Sequence, residues 1–599
     1  RSSMRIQKRW MVLWLAVAFM IGGSLIGAWV NSDFCRAKVE EVSIWYAPGL
    51  KISGNLYTPK AIADKAPAIL AIHGLNNQKN HMANTALEFA RRGYIVLSMD
   101  MSGHGKSTGA NLDHGAGGPA GLSYLRSLPH VDTDRIGIVG MSQGGFAGAM
   151  GAIVSNPDGY SSVFFMESEV NAPGSFDLSA APLVKNAAFN IGTVTELGSM
   201  VFIAKGSDAP VSPVLQPLFN TTEPIKVDTL YGSIEDGTAR ILYQPWEGHA
   251  GATDATAAIR NALKWMDLTL KVESKLSPRN QVWPLKLIGT ALALLGALLF
   301  PFPMGSLLLE TRCFSELQKS LPEYRGYEGR QWWISAAISA AVGPLLYLGV
   351  WKKMFFAPWI NPNRLWPQNF TNVYMVWAIL CGLIAAVLMI AGHFGSLKKK
   401  NATLEHYGLT DAANTFDWTY ILKSILLAVF TLLPVYLILA FVDAVWKVDF
   451  RAWVVTLLPF TGKRFQAFLG YLVPFALYFI PQGILLAGFQ RPEGGKLSLK
   501  KEMVINSVVM TVGAVMWLLI LYIPLMLGGS IIFGADPLVQ TAAGMGGIYY
   551  IPLLVLWPFV ACIYTYFFRK TGRVYVGISL ATLFIVWYLS AAGAFAVML

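Results

Sequence analysis

The sequence predicts an α/β domain, with a mostly parallel sheet covered by helices on both faces, joined to an all-α polytopic transmembrane domain. Three observations predict it. Between residues 50 and 250, short apolar, β-rich runs alternate with helical stretches, as expected for parallel strands buried on both faces. From residue 282 onward long apolar runs take over, each near the length needed to cross a bilayer. The chain of 599 residues is 54% hydrophobic and only 14% charged, with a mean hydropathy of +0.47, so a large part of it is built for lipid.

These shifts give three regions: an N-terminal transmembrane signal anchor over 1–35, an extracytoplasmic α/β domain over 36–281, and a helical transmembrane domain of about eight spans over 282–599. The net charge of +12 does not point to nucleic acid, because no basic stripe interleaved with aromatic residues appears and the Lys and Arg cluster between apolar runs. The four cysteines, Cys35, Cys313, Cys381 and Cys562, have neither disulfide-framework nor zinc spacing. Neither a metal nor an organic cofactor is expected.

The first apolar run, Trp10 to Val30, follows Arg1, Arg5, Lys8 and Arg9, which orients the N-terminus toward the cytoplasm. It is longer than the apolar region of a cleaved signal peptide, and "GAWVNSDFC" is a poor cleavage site. Within the α/β region the strand candidates are "APAILAIHG", "GYIVLSMDMSG", "RIGIVG", "SSVFFMES", "SMVFIAKG" and "ARILYQP". After "RIGIVG" comes Gly140, Met141, Ser142, Gln143, Gly144, a G-x-S-x-G pattern between a strand and a helix of small residues. A serine at such a bend is held in a strained turn, and glycines on either side remove side chains that would collide.

Serine is a poor nucleophile until a base takes its proton. Of the eight histidines, only His249 lies downstream of Ser142 inside this region, after a strand and before the helix "TDATAAIRNALKWM". A third group must orient His249. Asp208, after "SMVFIAKG", fits best; Glu167, after "SSVFFM", is the rival, and Asp228 and Asp236 read as turn residues. The oxyanion needs backbone N–H donors, for which Gln143 and Leu75 are placed. His73, His81, His104 and His114 read as loop-shaping or pocket residues. "GHGKS" lacks phosphate-loop spacing.

The eight later spans are expected near 282–303, 331–351, 371–394, 418–442, 466–489, 503–527, 545–568 and 574–597. Their basic connections, such as "SLKKKN" and "RKTGR", fall on the cytoplasmic side, with "WKK" and "GKR" against the rule. Few ionisable groups lie at mid-membrane; Lys423, Asp443 and His393 sit at span ends, so a transport path is not indicated. The segment 448–460 is too short to cross and reads as an interfacial piece, a re-entrant piece or a hydrophobic loop.

"IHG", "DMSGHGKS", "VDTDRIGIVGMSQGG" and "EGHAG", in that order, resemble the α/β-hydrolase superfamily, most of all its dienelactone-hydrolase-like and prolyl-oligopeptidase-like members. The resemblance covers about residues 50 to 270 and implies an eight-stranded sheet and a triad on Ser142, Asp208 and His249. The stretch between 168 and 240 departs from the pattern and is expected to form a small cap. The reading is a serine hydrolase acting on an ester, thioester or amide, with membrane lipids as surroundings and a lipid-linked substrate as one option. An acyltransferase, a peptidase and an inactive hydrolase-like domain on a transporter or receptor stand as alternatives; oligomeric state is not legible.

Overall fold

The computed structural model of the chain describes residues 2–62, 64–173, 177–534 and 536–599. Arg1 of the basic flank and residues 174–176 of the expected cap lie outside the described residues.

Helix α1, Ser2–Asn31, leads into a hairpin of β1, Ala37–Ala47, and β2, Leu50–Pro59. Then follow β3, Ala66–Ile72; α2, Ala83–Ala90; β4, Ile95–Met99; α3, Gly118–Ser127; and β5, Val131–Met141. The domain closes with α4, Met150–Ser155; β6, Ser162–Met166; β7, Ala187–Asn190; β8, Arg240–Tyr243; and α5, Thr256–Thr269. The sheet order is β1-β2-β4-β3-β5-β6-β7-β8. β2 runs antiparallel to β1 and β4, and from β4 to β8 every pairing is parallel. Every residue of β3, β4 and β6 is buried, the pattern of strands covered on both faces. Strand order, parallel core and antiparallel β2 are those of the α/β-hydrolase fold.

One expected strand is absent. "SMVFIAKG" contains a helical turn, Gly198–Val201, and the strand beside β6 is the shorter "AAFN" of β7. An apolar run cannot by itself separate a buried strand from a buried helical turn. The displacement moves the end of the strand by more than ten residues, which matters at the site.

Among the described residues nine helices are long and apolar enough to cross a membrane. After α1 they are α6, Trp283–Leu299, with its continuation Pro301–Leu308; α7, Gly329–Phe356; α8, Asn369–Gly392; α9, Trp418–Trp446; and α10, Gly462–Ile484. Next come α11, Leu499–Gly528; the shorter α12, Pro537–Tyr550; α13, Leu553–Thr571; and α14, Tyr575–Ala592. The expected span at 545–568 straddles the break between α12 and α13, where Pro552 lacks the N–H that a continuous helix needs. α1 packs on α6 through small residues: a Cβ on Gly289 would sit 2.6 Å from the Gly27 nitrogen and 2.7 Å from the Gly23 oxygen, so any side chain would force the helices apart.

The α/β domain is docked on one end of the bundle. One face of its sheet is covered by α2 and α5, while the apolar core on the other face runs without a break into the bundle. The 448–460 segment is a hairpin, β9 (Phe450–Ala452) and β10 (Val455–Leu457), that meets this domain: Trp453 Nε1 donates to Ala250 O at 3.3 Å, and Gln78 Nε2 donates to Asp449 at 2.9 Å. Asp443, at the end of α9, pairs with Lys106 at 2.6 Å. Beyond α14, Phe595 exchanges backbone hydrogen bonds with the loop after β4, donating to Gly103 O and accepting from Asn111 N.

Candidate active site

β5 delivers Ser142 at its C-terminal end with φ +50°, a left-handed conformation costing a non-glycine residue about 1–3 kcal/mol. The bend is closed by Gly145 N donating to Ser142 O at 2.8 Å. A wide helical turn, Gly144–Ala149, follows at once and runs into α4. A Cβ at Gly144 would lie 2.4 Å from the carbonyl oxygens of both Ile72 and His73, so only glycine lets this turn sit against the end of β3.

His249 sits in the turn after β8 and presents Nε2 to Ser142 Oγ at 2.9 Å, hydrogen-bond distance. The carboxylate on its other side is Glu167. Glu167 Oε2 is 3.4 Å from His249 Nδ1, and both side chains are buried. This corrects the expectation for Asp208, which lies on an exposed turn, Gly206–Val211, and meets the Ser207 hydroxyl. The reason is the misplaced strand: a position after "SMVFIAKG" is not a position after β7. Glu167 follows β6, itself at φ +50°, with its N–H donating to Asn190 O at 2.8 Å and its Oε1 accepting from Gly192 N.

Two further carboxyls frame the histidine, and sequence reasoning missed both. Glu196 accepts the His249 backbone N–H at 2.5 Å and the Tyr522 hydroxyl of α11 at 2.7 Å, so a membrane helix helps to fix the loop that carries His249. Burial raises the Glu196 pKa. Glu247 accepts from Asn190 Nδ2 at 2.7 Å. Burial, and then the Glu167 charge beside it, push the Glu247 carboxyl up to about 8.

A carboxyl raised in the fold keeps a proton that the unfolded chain has already released. The native state therefore binds more protons from the ordinary carboxylate range up to about pH 8, and stability falls as pH rises through that window. Glu247→Gln keeps an acceptor for Asn190 and removes the titration. The slope of thermal stability against pH in detergent is expected to shrink by up to about 1.4 kcal/mol per pH unit, with the variant more stable than wild type at the alkaline end. Glu169, also pushed up to about 8 by burial, leaves a separate slope in both proteins. An unchanged slope would mean that Glu247 is ionised throughout.

The loop after β3 carries Leu75, which together with Gln143 lines the cavity holding Ser142 and His249. Two buried imidazoles shape that loop. His73 Nε2 accepts from Met101 N at 3.0 Å with Nδ1 beside Gly74 O at 2.7 Å, and His104 Nε2 accepts from Asn76 N at 3.0 Å with Nδ1 beside Ser102 O at 2.9 Å. Both act as neutral acceptors, since burial brings His73 down to about 4 and His104 to about 3. Among the described residues no three His, Cys, Asp or Glu come together as a metal site.

The cavity measures about 150 Å³ and lies between the two domains. Its floor is the elbow and the Leu75 loop; Leu197 and Met200 of the 168–240 stretch form one side, and Arg451 of the hairpin another. The opposite wall is membrane helix: Tyr374 of α8, Tyr549 of α12 and Tyr588 of α14 all face it. Arg451 is buried and paired with Asp449 at 2.9 Å.

Residues 48–168 match the family of X-Pro dipeptidyl-peptidases (S15 family). Among solved structures, a dienelactone hydrolase-like promiscuous phosphotriesterase from metagenomic libraries is 14% identical over 40% of this chain and 99% of its own, with a TM-score of 0.29. A bacterial heroin esterase is 16% identical over 43% of this chain and 92% of its own, also with a TM-score of 0.29. A hypothetical protein from Pseudomonas aeruginosa is 24% identical, the match spanning 22% of this chain and 42% of that one, with a TM-score of 0.20. Among curated proteins none matches. The chain joins a domain with the strand order of the α/β-hydrolase fold to a helical domain which, with α1, holds among the described residues nine helices long and apolar enough to cross a membrane.

Proposed function

We propose that this α/β-hydrolase chain is a membrane-embedded serine hydrolase, its catalytic domain outside the cytoplasm, cleaving an ester, thioester or amide of a lipid or lipid-linked substrate through an acyl-enzyme. Ser142 Oγ attacks the carbonyl while His249 Nε2 takes its proton, and the same nitrogen later gives that proton to the leaving group. Glu167 holds Nδ1–H and stabilises the imidazolium. The N–H groups of Gln143 and Leu75 hold the oxyanion. Water then attacks the acyl-enzyme, with His249 again as base, and releases the acid.

The observation that carries this reading is the 2.9 Å approach of His249 Nε2 to Ser142 Oγ in the cavity between the two domains. Its membrane-helix wall supports a greasy reactant, since a single span would suffice merely to tether a soluble enzyme. The basic residues Lys8 and Arg9 before the first span, and the basic connections between later ones, support the orientation.

Fluorophosphonate labelling of the detergent-solubilised full chain tests the chemistry. Wild type is expected to label at Ser142, and Ser142→Ala to lose the label while keeping its thermal unfolding profile. Equal labelling of both proteins would remove the proposal. Product analysis with and without an alcohol or amine acceptor separates hydrolysis from acyl transfer. The match to X-Pro dipeptidyl-peptidases favours one second reading, amide cleavage, so the substrate panel includes X-Pro dipeptide amides beside lipid esters.

A further inference from the structure

The catalytic cavity does not end at the bundle. A small void of about 20 Å³ shares Tyr374, Tyr549, Tyr588 and Leu589 with it. The far side of that void is made by Trp377, Tyr478 and Trp557, and these same three side chains begin a third cavity of about 300 Å³. The rings of Tyr478 and Trp557 lie nearly parallel with centroids 5.8 Å apart, and Trp377 stacks on Trp557 at 6.3 Å. Three spaces therefore lie in series through the bundle, with a neck of aromatic rings separating them.

The third cavity is a groove between α7 and α8. Its lining reaches Gln331 near the start of α7 and Ser396 beyond the end of α8, the end of the bundle away from the α/β domain. It is open to the side: Ile334, Ile338 and Leu388 belong to its wall and are 48%, 41% and 43% exposed. A row of apolar spaces that opens on the lipid-facing surface and reaches a nucleophile becomes a slot for a hydrocarbon chain once the rings between them turn aside. The aromatic neck offers apolar, polarizable walls to such a chain.

We propose that this slot binds the long hydrocarbon chain of the substrate, with its carbonyl at Ser142, its first carbons passing Tyr374, Tyr549 and Tyr588, and its tail in the groove between α7 and α8, entered sideways from the bilayer. The proposal rests on the serine hydrolase reading and names its substrate class: lipids with at least one long, unbranched chain next to the scissile bond. The bundle is then part of the substrate site as well as the anchor.

The test uses the full chain in detergent. A fluorophosphonate carrying a hexadecyl chain with a terminal diazirine is reacted with Ser142, illuminated, and the adducts are mapped by mass spectrometry. Expected are cross-links in the groove, at Leu388, Met389 or Met510. Cross-links confined to Leu197 and Met200, or to no protein residue, would overturn the slot while leaving Ser142 reactive; absence of any Ser142 adduct would overturn the hydrolase reading and the slot with it. In a second arm, Ala385→Trp fills the groove from α8. It is expected to lower kcat/KM for 4-nitrophenyl palmitate or hexadecyl acetate, whichever wild type prefers over 4-nitrophenyl acetate, by at least about tenfold, and to leave acetate hydrolysis and ethyl fluorophosphonate labelling unchanged. Equal loss on long and short esters, or no chain-length preference in wild type, counts against it.

Discussion

Glu167→Gln is expected to lower kcat by about 10⁴-fold, whereas Asp208→Asn is expected to leave it within about twofold of wild type. The amide keeps the size of the carboxylate and removes its charge. His249 would then lose the group that fixes the proton on Nδ1 and offsets the imidazolium charge formed when Ser142 attacks. At 3.4 Å the Glu167–His249 contact is long for a strong hydrogen bond, and such pairs commonly tighten only when substrate is bound. Glu167 is completely buried, while Asp208 faces solvent with no imidazole in reach. Single-turnover kinetics with an activated ester, on protein of unchanged thermal stability, separates the two. If Asp208→Asn shows the large loss and Glu167→Gln does not, the acid assignment falls.

The bend that carries Ser142, the histidine that approaches it and the change from an α/β to a helical, apolar half were legible because each is written locally. A nucleophile elbow needs small residues at fixed offsets; a span needs a long unbroken apolar run; a histidine after the last strand stands alone in its region. The carboxylate beside His249 was not local in this sense. It depends on which of two apolar runs pairs with β6, and "SMVFIAKG" looks more strand-like than "AAFN" although only the latter pairs. Sheet pairing is decided by tertiary fit, with β7 bonding to β6 on one side and β8 on the other. Glu196 and Glu247 escaped for the same reason: nothing in "VTELG" or "PWEGH" announces that one holds the His249 backbone and the other crowds Glu167. The wall that α8, α12 and α14 give the cavity is a relation between segments more than two hundred residues from Ser142, beyond any pattern read along the chain.

Arg464→Met is expected to uncouple the α/β domain from the bundle, destabilising the docked state by about 3 kcal/mol or more and lowering activity with it. Arg464 stands in the first turn of α10 and is 1% exposed. Its Nη1 donates to the carbonyl oxygens of Gly593 at 2.6 Å, Ala591 at 3.0 Å and Ser590 at 3.3 Å, where α14 ends. Those last-turn carbonyls have no intrahelical donor and carry the negative end of the helix dipole, so a guanidinium is well matched to them. From the same group Nε donates to Gly105 O at 2.8 Å, in the loop that carries His104, and the guanidinium lies over the Phe595 ring at 4.8 Å. One side chain thus ties α10, the end of α14 and the β4 loop together, and that loop positions Asn76 and the Leu75 peptide through His104. Methionine preserves the bulk and removes the donor to Ala591 O and Gly105 O, while Gln368 Nε2 still serves Ser590 O at 2.8 Å and Gly593 O at 3.0 Å. Lysine is not expected to rescue, because a single ammonium cannot span carbonyls on both domains as the planar fork does. Limited proteolysis of the 103–112 loop in detergent, beside thermal unfolding and ester turnover, reads the effect: Arg464→Met is expected to be cut faster and to turn over more slowly, and wild-type behaviour in all three would mean that the loop holds its shape without the bundle.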